Sequence, residues 1–287
     1  MSYMHIESLY RNPDIFLVGD CFCLEKIHGT SAHITWKKGE LKFFAGGTSH
    51  ENFVKLFDVQ GLTEKFKLLG HDSIVVFGEA YGGKLMGMRD TYGPNLKFAA
   101  FDVKLGDRWY SVPGAHDIAN KLGLEFVHYN LCTTDIASLD RERDAPSEQA
   151  KRNGIVEPKI REGIVIRPII EASKNGVRII AKHKRPEFME TKTPREVDPA
   201  KLKVLTDARE VSDEWVTRQR LLHVLDKNPA TSMKDTPNII RAMIEDVKRE
   251  GAGEIEWSKD VETAIGRATA ALLKAHFKSR EIEPFTR

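Results

Sequence analysis

The stretch Glu25-Lys26-Ile27-His28-Gly29-Thr30 sets a lysine at the end of an apolar run, with a glycine three residues later. An amine becomes a nucleophile once it loses its proton, and a glycine lets the backbone pass close to a ligand. By itself the pattern reads as a strand end and a turn. Four later segments add to it. Phe77-Gly78-Glu79-Ala80-Tyr81-Gly82-Gly83 carries an acid into a glycine-rich turn, and Phe98-Ala99-Ala100-Phe101-Asp102-Val103 is an apolar strand with aromatics. Arg161-Glu162-Gly163-Ile164-Val165-Ile166-Arg167-Pro168 sets a glutamate at the mouth of an apolar strand. In Ile179-Ile180-Ala181-Lys182-His183-Lys184-Arg185, strand alternation puts Lys182 and Lys184 on one face and His183 on the other. Two ammoniums side by side repel unless an anion lies between them, and a phosphate would fill that role. Taken singly, Glu79 and Glu162 also read as surface carboxylates, Phe101 as core, and the lysines as guards of an exposed strand edge.

The elements that must position these residues belong to an α+β body. Apolar or alternating runs predict strands over 16–24, 32–36, 41–44, 73–77, 97–103, 163–167 and 177–181, separated by Gly, Asn, Asp and Lys clusters. Helices are expected over 52–56, 62–69 and 114–122, and the polar segment 140–153 reads as a surface loop or a short exposed helix. Past residue 196 the pattern turns helical. Residues 213–226 place Trp215, Leu222 and Leu225 on one face; Thr236-Pro237 opens a stripe of Ile240, Met243, Ile244 and Val247 that Gly251 ends; Ser258 caps a run carrying Val261, Ile265, Ala268, Leu272 and Phe277. Two domains are therefore expected, 1–195 and a small all-helical 196–287, with no internal repeat.

Composition narrows the class. A hydrophobic fraction of 41% and a charged fraction of 30% over 287 residues describe a chain with a core, not a disordered one. No apolar run reaches the length of a membrane span, and Met1 to Glu7 lacks a signal-peptide pattern, so a cytoplasmic protein is expected. Cys21, Cys23 and Cys132 cannot build a disulfide framework; they read as packed thiols in a reducing compartment, and the scattered histidines suggest no zinc site. Net charge is only +2, yet residues 151–192 hold eleven Lys/Arg against five Asp/Glu. Such a stretch attracts a polyanion or forms a solvated face.

The order and spacing of the five segments resemble the covalent nucleotidyltransferase superfamily of polynucleotide ligases and capping enzymes, over residues 20–190. The nearest branch is the bacteriophage-type, nick-sealing RNA ligases, because His28-Gly29-Thr30 follows the lysine where the DNA-ligase branch has Asp-Gly. The resemblance implies an antiparallel-sheet nucleotidyltransferase domain, ATP-grasp-like, with a small helical C-terminal domain. It makes Lys26 the residue that carries AMP, with Glu25 and Ile27 lining the nucleotide pocket and His28 and Gly29 near the phosphates. Glu79 would hold the ribose, Phe101 would stack on adenine, Glu162 would hold Mg²⁺ (or Mn²⁺), and Lys182 and Lys184 would grip the α-phosphate. Two departures stand out: there is no arginine between Phe43 and Thr48, where relatives carry one, and Ser31 replaces the asparagine of phage relatives.

The implied activity is ATP-dependent RNA ligation, joining 5′-phosphate to 3′-hydroxyl through lysyl-AMP and an adenylated 5′ end. A lysine of pKa ~10.4 must shed its proton to attack, which burial and nearby cations favour. The implied partners are ATP, a divalent metal and RNA, in the form of a nicked duplex or an RNA–DNA hybrid, acted on by a monomer. Competing expectations are a DNA nick ligase, a GTP-using capping enzyme, and a nucleotide-binding RNA module without sealing activity.

Overall fold

The computed structural model describes residues 3–193 and 204–281, and its contacts divide the chain into two units, Met1–Arg185 and Pro186–Arg287. The boundary expected between residues 195 and 196 lies outside the described residues.

The first unit is built on two antiparallel sheets. One has the order β11-β8-β1-β7, from β1 (Asp20–Lys26), β7 (Tyr129–Thr133), β8 (Gly163–Pro168) and β11 (Ala181–Lys184). The other has the order β3-β2-β4-β5-β6, from β2 (Thr30–Lys37), β3 (Glu40–Phe44), β4 (Ser73–Gly82), β5 (Leu96–Leu105) and β6 (Arg108–Trp109). A two-residue hairpin pairs β9 (Ser173–Lys174) with β10 (Val177–Arg178). Short α1 (His50–Val54) and α3 (Arg89–Tyr92) flank the second sheet. Longer α2 (Val59–Leu69) and α4 (Val112–Leu122) start at the side-chain caps Asp58 and Ser111 and stop at left-handed Gly70 and Gly123. Leu62, Phe66, Ile118 and Leu122 of these helices pack with Ile34, Ile74, Val76 and Val103 of the strands in one buried core. Each such side chain contributes roughly 1.5–3 kcal/mol by leaving water.

Three expectations about this unit need correction. The strand expected over 16–24 begins only at Asp20, because Pro13–Leu17 forms a 3₁₀ helix and Gly19 turns the chain at φ +75°. The run 177–181 divides: β10 turns back on β9, while β11 crosses to join β8. The polar segment 140–153 forms most of α5 (Ile136–Asp144) and all of α6 (Glu148–Arg152), and it buries Ser147 and Gln149 instead of lying exposed.

In the second unit the named helices are a 3₁₀ turn at Pro186–Phe188, α7 (Ala208–Trp215), α8 (Arg218–Lys227), a 3₁₀ turn at Met233–Asp235, α9 (Thr236–Glu250) and α10 (Lys259–Glu281). The single helix expected over 213–226 is two. Val216 leaves helical geometry at ψ 85°, and the Thr217 side chain accepts from the Arg220 N–H to begin α8. The break rotates the buried face onto Leu221 and Val224, leaving Leu222 and Leu225 half-buried. Leu221 and Val224, with Leu225 packed against them, join Trp215, Ile239, Met243, Val247, Val261, Ile265 and Leu273 in a separate core.

Candidate active site

Strand register makes a single row of Lys26, Gly163 and Lys184 across β1, β8 and β11. Gly163 has φ +150°, and a Cβ there would lie 2.2 Å from the His183 carbonyl oxygen. Only glycine allows β11 to pass so closely, and no side chain then separates the two lysines. Both reach the residue just before the strand. Lys26 Nζ donates to Glu162 Oε2 at 3.1 Å, and His28 Nδ1 lies 3.1 Å from the same oxygen. Lys184 Nζ approaches Oε1 to 2.8 Å as an ion pair, off the direction of a hydrogen bond, so that Oε1 is buried without a hydrogen-bonded donor.

Glu162 is 1% exposed, which overturns the surface-carboxylate reading. Burial alone would raise its pKa, but Lys184, Lys26 and His28 outweigh that and hold the carboxyl well below the usual glutamate range. It is therefore ionised, and it faces two ammoniums.

The other expected residues fall around this row in different ways. Lys182 stands in the next row of the same face, level with Val165 and Leu24. Its backbone N–H donates to the Glu7 carbonyl at 2.9 Å. Its charge helps hold the Glu7 carboxyl low, after His5 and Arg11. Gly29 is required by protein, not by space for a ligand: a Cβ would lie 2.2 Å from the Ala80 carbonyl oxygen of β4. Ile27 is 3% exposed and belongs to the core.

Glu25 points to the opposite face of β1 from Lys26. There it accepts from Ser147 Oγ at 2.5 Å, the Glu148 N–H at 2.9 Å and the Gln149 N–H at 3.1 Å, anchoring the start of α6. Its side chain therefore does not face the Lys26 cluster. Glu79 is half-buried on β4, opposite Ser31. Phe101 is the extra residue of a β-bulge, since Phe77 pairs with Asp102 while Gly78 pairs with Ala100. A bulge re-aims a side chain, and Phe101 emerges partly buried with Tyr3 edge-on at 4.9 Å.

Sequence reasoning passed over the groups behind the site. Tyr92 Oη accepts from the His28 N–H at 3.2 Å. Burial, then Glu25, Glu162 and Glu79, push its pKa well up, so the phenol stays neutral among three carboxylates. Asn153 ties this helix down by donating to the Tyr92 carbonyl at 3.0 Å. Gln149 donates to Tyr81 Oη and to Glu125 Oε1, both at 2.8 Å. Val165 shares the Lys26 face; strand alternation from Gly163 would have revealed it. The arrangement can bind an anion at the Lys26 row, hold an amine beside it, and keep both in fixed register.

The family model described as RNA ligase matches residues 19–184. A Naegleria gruberi RNA ligase solved with PPi superposes with a TM-score of 0.51 at 13% identity, over 66% of this chain and 57% of that one. A mutant of the same ligase, solved with AMP and Mn, gives 0.50 at 13% identity, again over 66% of this chain and 57% of that one. The chain thus spans 57% of the length of those ligase chains, and at this identity the likeness is one of fold. No curated protein sequence matches it.

Proposed function

This chain belongs to the RNA ligase family, and on that premise we propose that it joins a 5′-phosphate to a 3′-hydroxyl of RNA by way of AMP carried on Lys26. The observation that supports this reading best is the convergence of Lys26, His28 and Lys184 on one buried carboxylate, Glu162. An amine held beside a second ammonium on one carboxylate is suited to meet a polyphosphate.

In the first step Lys26 Nζ, having lost its proton, bonds to the α-phosphorus of ATP, and the bond to the β-phosphoryl oxygen breaks to release pyrophosphate. Lys26 Nζ is held 3.1 Å from Glu162 Oε2. Lys184 shares the Glu162 carboxylate with Lys26, so a second cation stands beside the attacking amine. Lys184 also faces the charge growing on the phosphoryl oxygens. AMP then passes to the RNA 5′-phosphate, forming a 5′–5′ pyrophosphate, and the 3′-hydroxyl attacks that end to release AMP. Glu79 is assigned to the ribose, Phe101 to the adenine and Lys182, with Lys184, to the α-phosphate.

Glu162 Oε1, buried and without a hydrogen-bonded donor, fits a divalent cation. No group of three His, Cys, Asp or Glu suited to a metal occurs among the described residues. That matches Mg²⁺ or Mn²⁺ held by one carboxylate with phosphate and water, and a neighbouring ligase was solved with AMP and Mn. Such an ion would neutralise phosphate charge. Adenylation is assigned to residues 1–195, and grip on nicked or hybrid RNA to 196–287, in a monomeric cytoplasmic enzyme. No helix among the described residues is long and apolar enough to cross a membrane.

The test is a joining assay with ATP, Mg²⁺ and a panel of nicked, single-stranded, hybrid and all-DNA substrates. The reading expects joined RNA and an adenylated intermediate, both lost in Lys26→Ala. Joining of DNA alone, or joining that survives Lys26→Ala, would refute it.

A further inference from the structure

Away from the Lys26 cluster, the second sheet carries a row of rings that runs from the interior to an open edge. In register, Phe77 on β4 stands beside His33 on β2, and His33 beside Phe44 on β3. Phe77 and His33 are buried, whereas Phe44 on the edge strand is 48% exposed. The Phe44 ring lies on the imidazole, with centroids 4.8 Å apart and planes 21° from parallel, and the imidazole contacts Phe77 at 5.4 Å. Burial keeps that imidazole neutral, its pKa pushed down to about 4. One face of the Phe44 ring is thus already covered and its orientation fixed, while half of the residue meets solvent.

Two further observations say what would cover it. The next pair on the same face is Ser31 with Glu79, and Ser31 follows the His28-Gly29-Thr30 turn that leaves Lys26. The turn after Phe44 is pinned to that segment: the Gly47 N–H donates to Thr30 Oγ1 at 2.8 Å, and Gly46, at φ +61°, lies so near the Ser31 carbonyl that a Cβ would be 2.4 Å from it. Lys42, two residues back on the same face of β3, holds an exposed ammonium 3.0 Å from Glu40. An exposed ring and an exposed cation therefore stand together along a path to the amine. That combination suits a single strand of nucleic acid, whose bases stack on aromatics while its phosphates meet lysine.

We propose that Phe44, backed by His33, is a stacking platform for a nucleobase of the RNA strand whose end is processed at Lys26, with Lys42 meeting an adjoining phosphate. It rests on the RNA-joining reading above and adds where the strand lies. Because His33 already holds the ring, little motion is lost when a base arrives. Any base would serve, since each has a flat face.

Binding of fluorescent single-stranded and nicked RNA to the whole chain, with and without Phe44→Ala, tests it, alongside protein labelling from α-labelled ATP. Stacking of one base is worth about 1–3 kcal/mol, so Phe44→Ala should weaken RNA binding by about 5- to 150-fold while label still appears on the protein. Phe44→Trp should keep the affinity and show indole fluorescence quenched by RNA. Unchanged affinity in Phe44→Ala overturns the platform, as does a loss confined to ATP labelling, which would place the ring at the nucleotide. Absence of labelling and joining in the unaltered chain would instead defeat the ligase reading, with the binding comparison still deciding the platform.

Discussion

Two buried charge clusters lie at opposite ends of β8, and they are built differently. At the start of the strand, the carboxylate of Glu162 meets Lys26, Lys184 and His28. At the far end, Arg167 and Arg178 meet Asp102 and Glu171, two positive against two negative. Tyr3 Oη donates to Asp102 Oδ2 at 2.7 Å, the Val103 N–H donates to Oδ1 at 2.9 Å, and the Arg178 guanidinium sits 4.4 Å over the Trp109 ring. Desolvation would lower the Arg178 pKa, yet Asp102 and Glu171 hold it raised. The second cluster is balanced and joins β5 to β8. The first sets two ammoniums and an imidazole around one carboxylate. Each cluster holds one buried polar atom without a hydrogen-bond partner among the described residues, Glu162 Oε1 in the first and Arg178 Nη2 in the second. What separates the two is how many carboxylates the paired cations share, one against two, more than burial.

The sharpest way to break this contrast is to remove one carboxylate from each. Asp102→Ala would leave two buried guanidiniums sharing Glu171 alone, and urea unfolding should show a loss of about 3–5 kcal/mol. A loss under about 1 kcal/mol would mean that the strut is not structural. Glu162→Gln should act the other way round. The adenylation rate should fall about 10²- to 10³-fold, as when one preorganised electrostatic contact is lost at a reacting centre. Stability should fall less than in Asp102→Ala, and pyrophosphate should restore thermal stability by supplying the missing anion. Equal stability losses in the two variants, with no rescue, would erase the distinction.

Glu25 offers a smaller and finer comparison, since it lies next to Lys26 but on the other face of the strand. Glu25→Gln keeps one acceptor oxygen where two now serve Ser147, Glu148 and Gln149, so unfolding should cost about 1–3 kcal/mol less. Its adenylation rate should drop less than that of Glu162→Gln. A larger drop would return Glu25 to the reaction itself.

The same contrast explains what was legible in the sequence. Lys26, Glu162 and Lys184 could be picked out because each closes or opens an apolar run, although 136 residues separate the first two. Which lysine of the pair meets Glu162 was hidden, because it depends on the register that Gly163 imposes between β8 and β11. The partners of Glu25 were hidden for another reason. Ser147 and Gln149 lie in a polar stretch, and polarity alone cannot tell a solvated loop from a helix start aimed at a buried carboxylate. Arg167 and Asp102 read as strand polar residues, since their compensation comes from residues far along the chain. Phe101 was legible as an aromatic in a strand, but the bulge that turns it is a property of pairing, not of the strand alone.

The most direct measurement is intact-mass and peptide mass spectrometry of the protein after incubation with ATP and Mg²⁺. A single added AMP on the peptide containing Lys26, absent from Lys26→Arg, is the expected result. AMP on any other lysine, or retained in Lys26→Arg, would contradict the account.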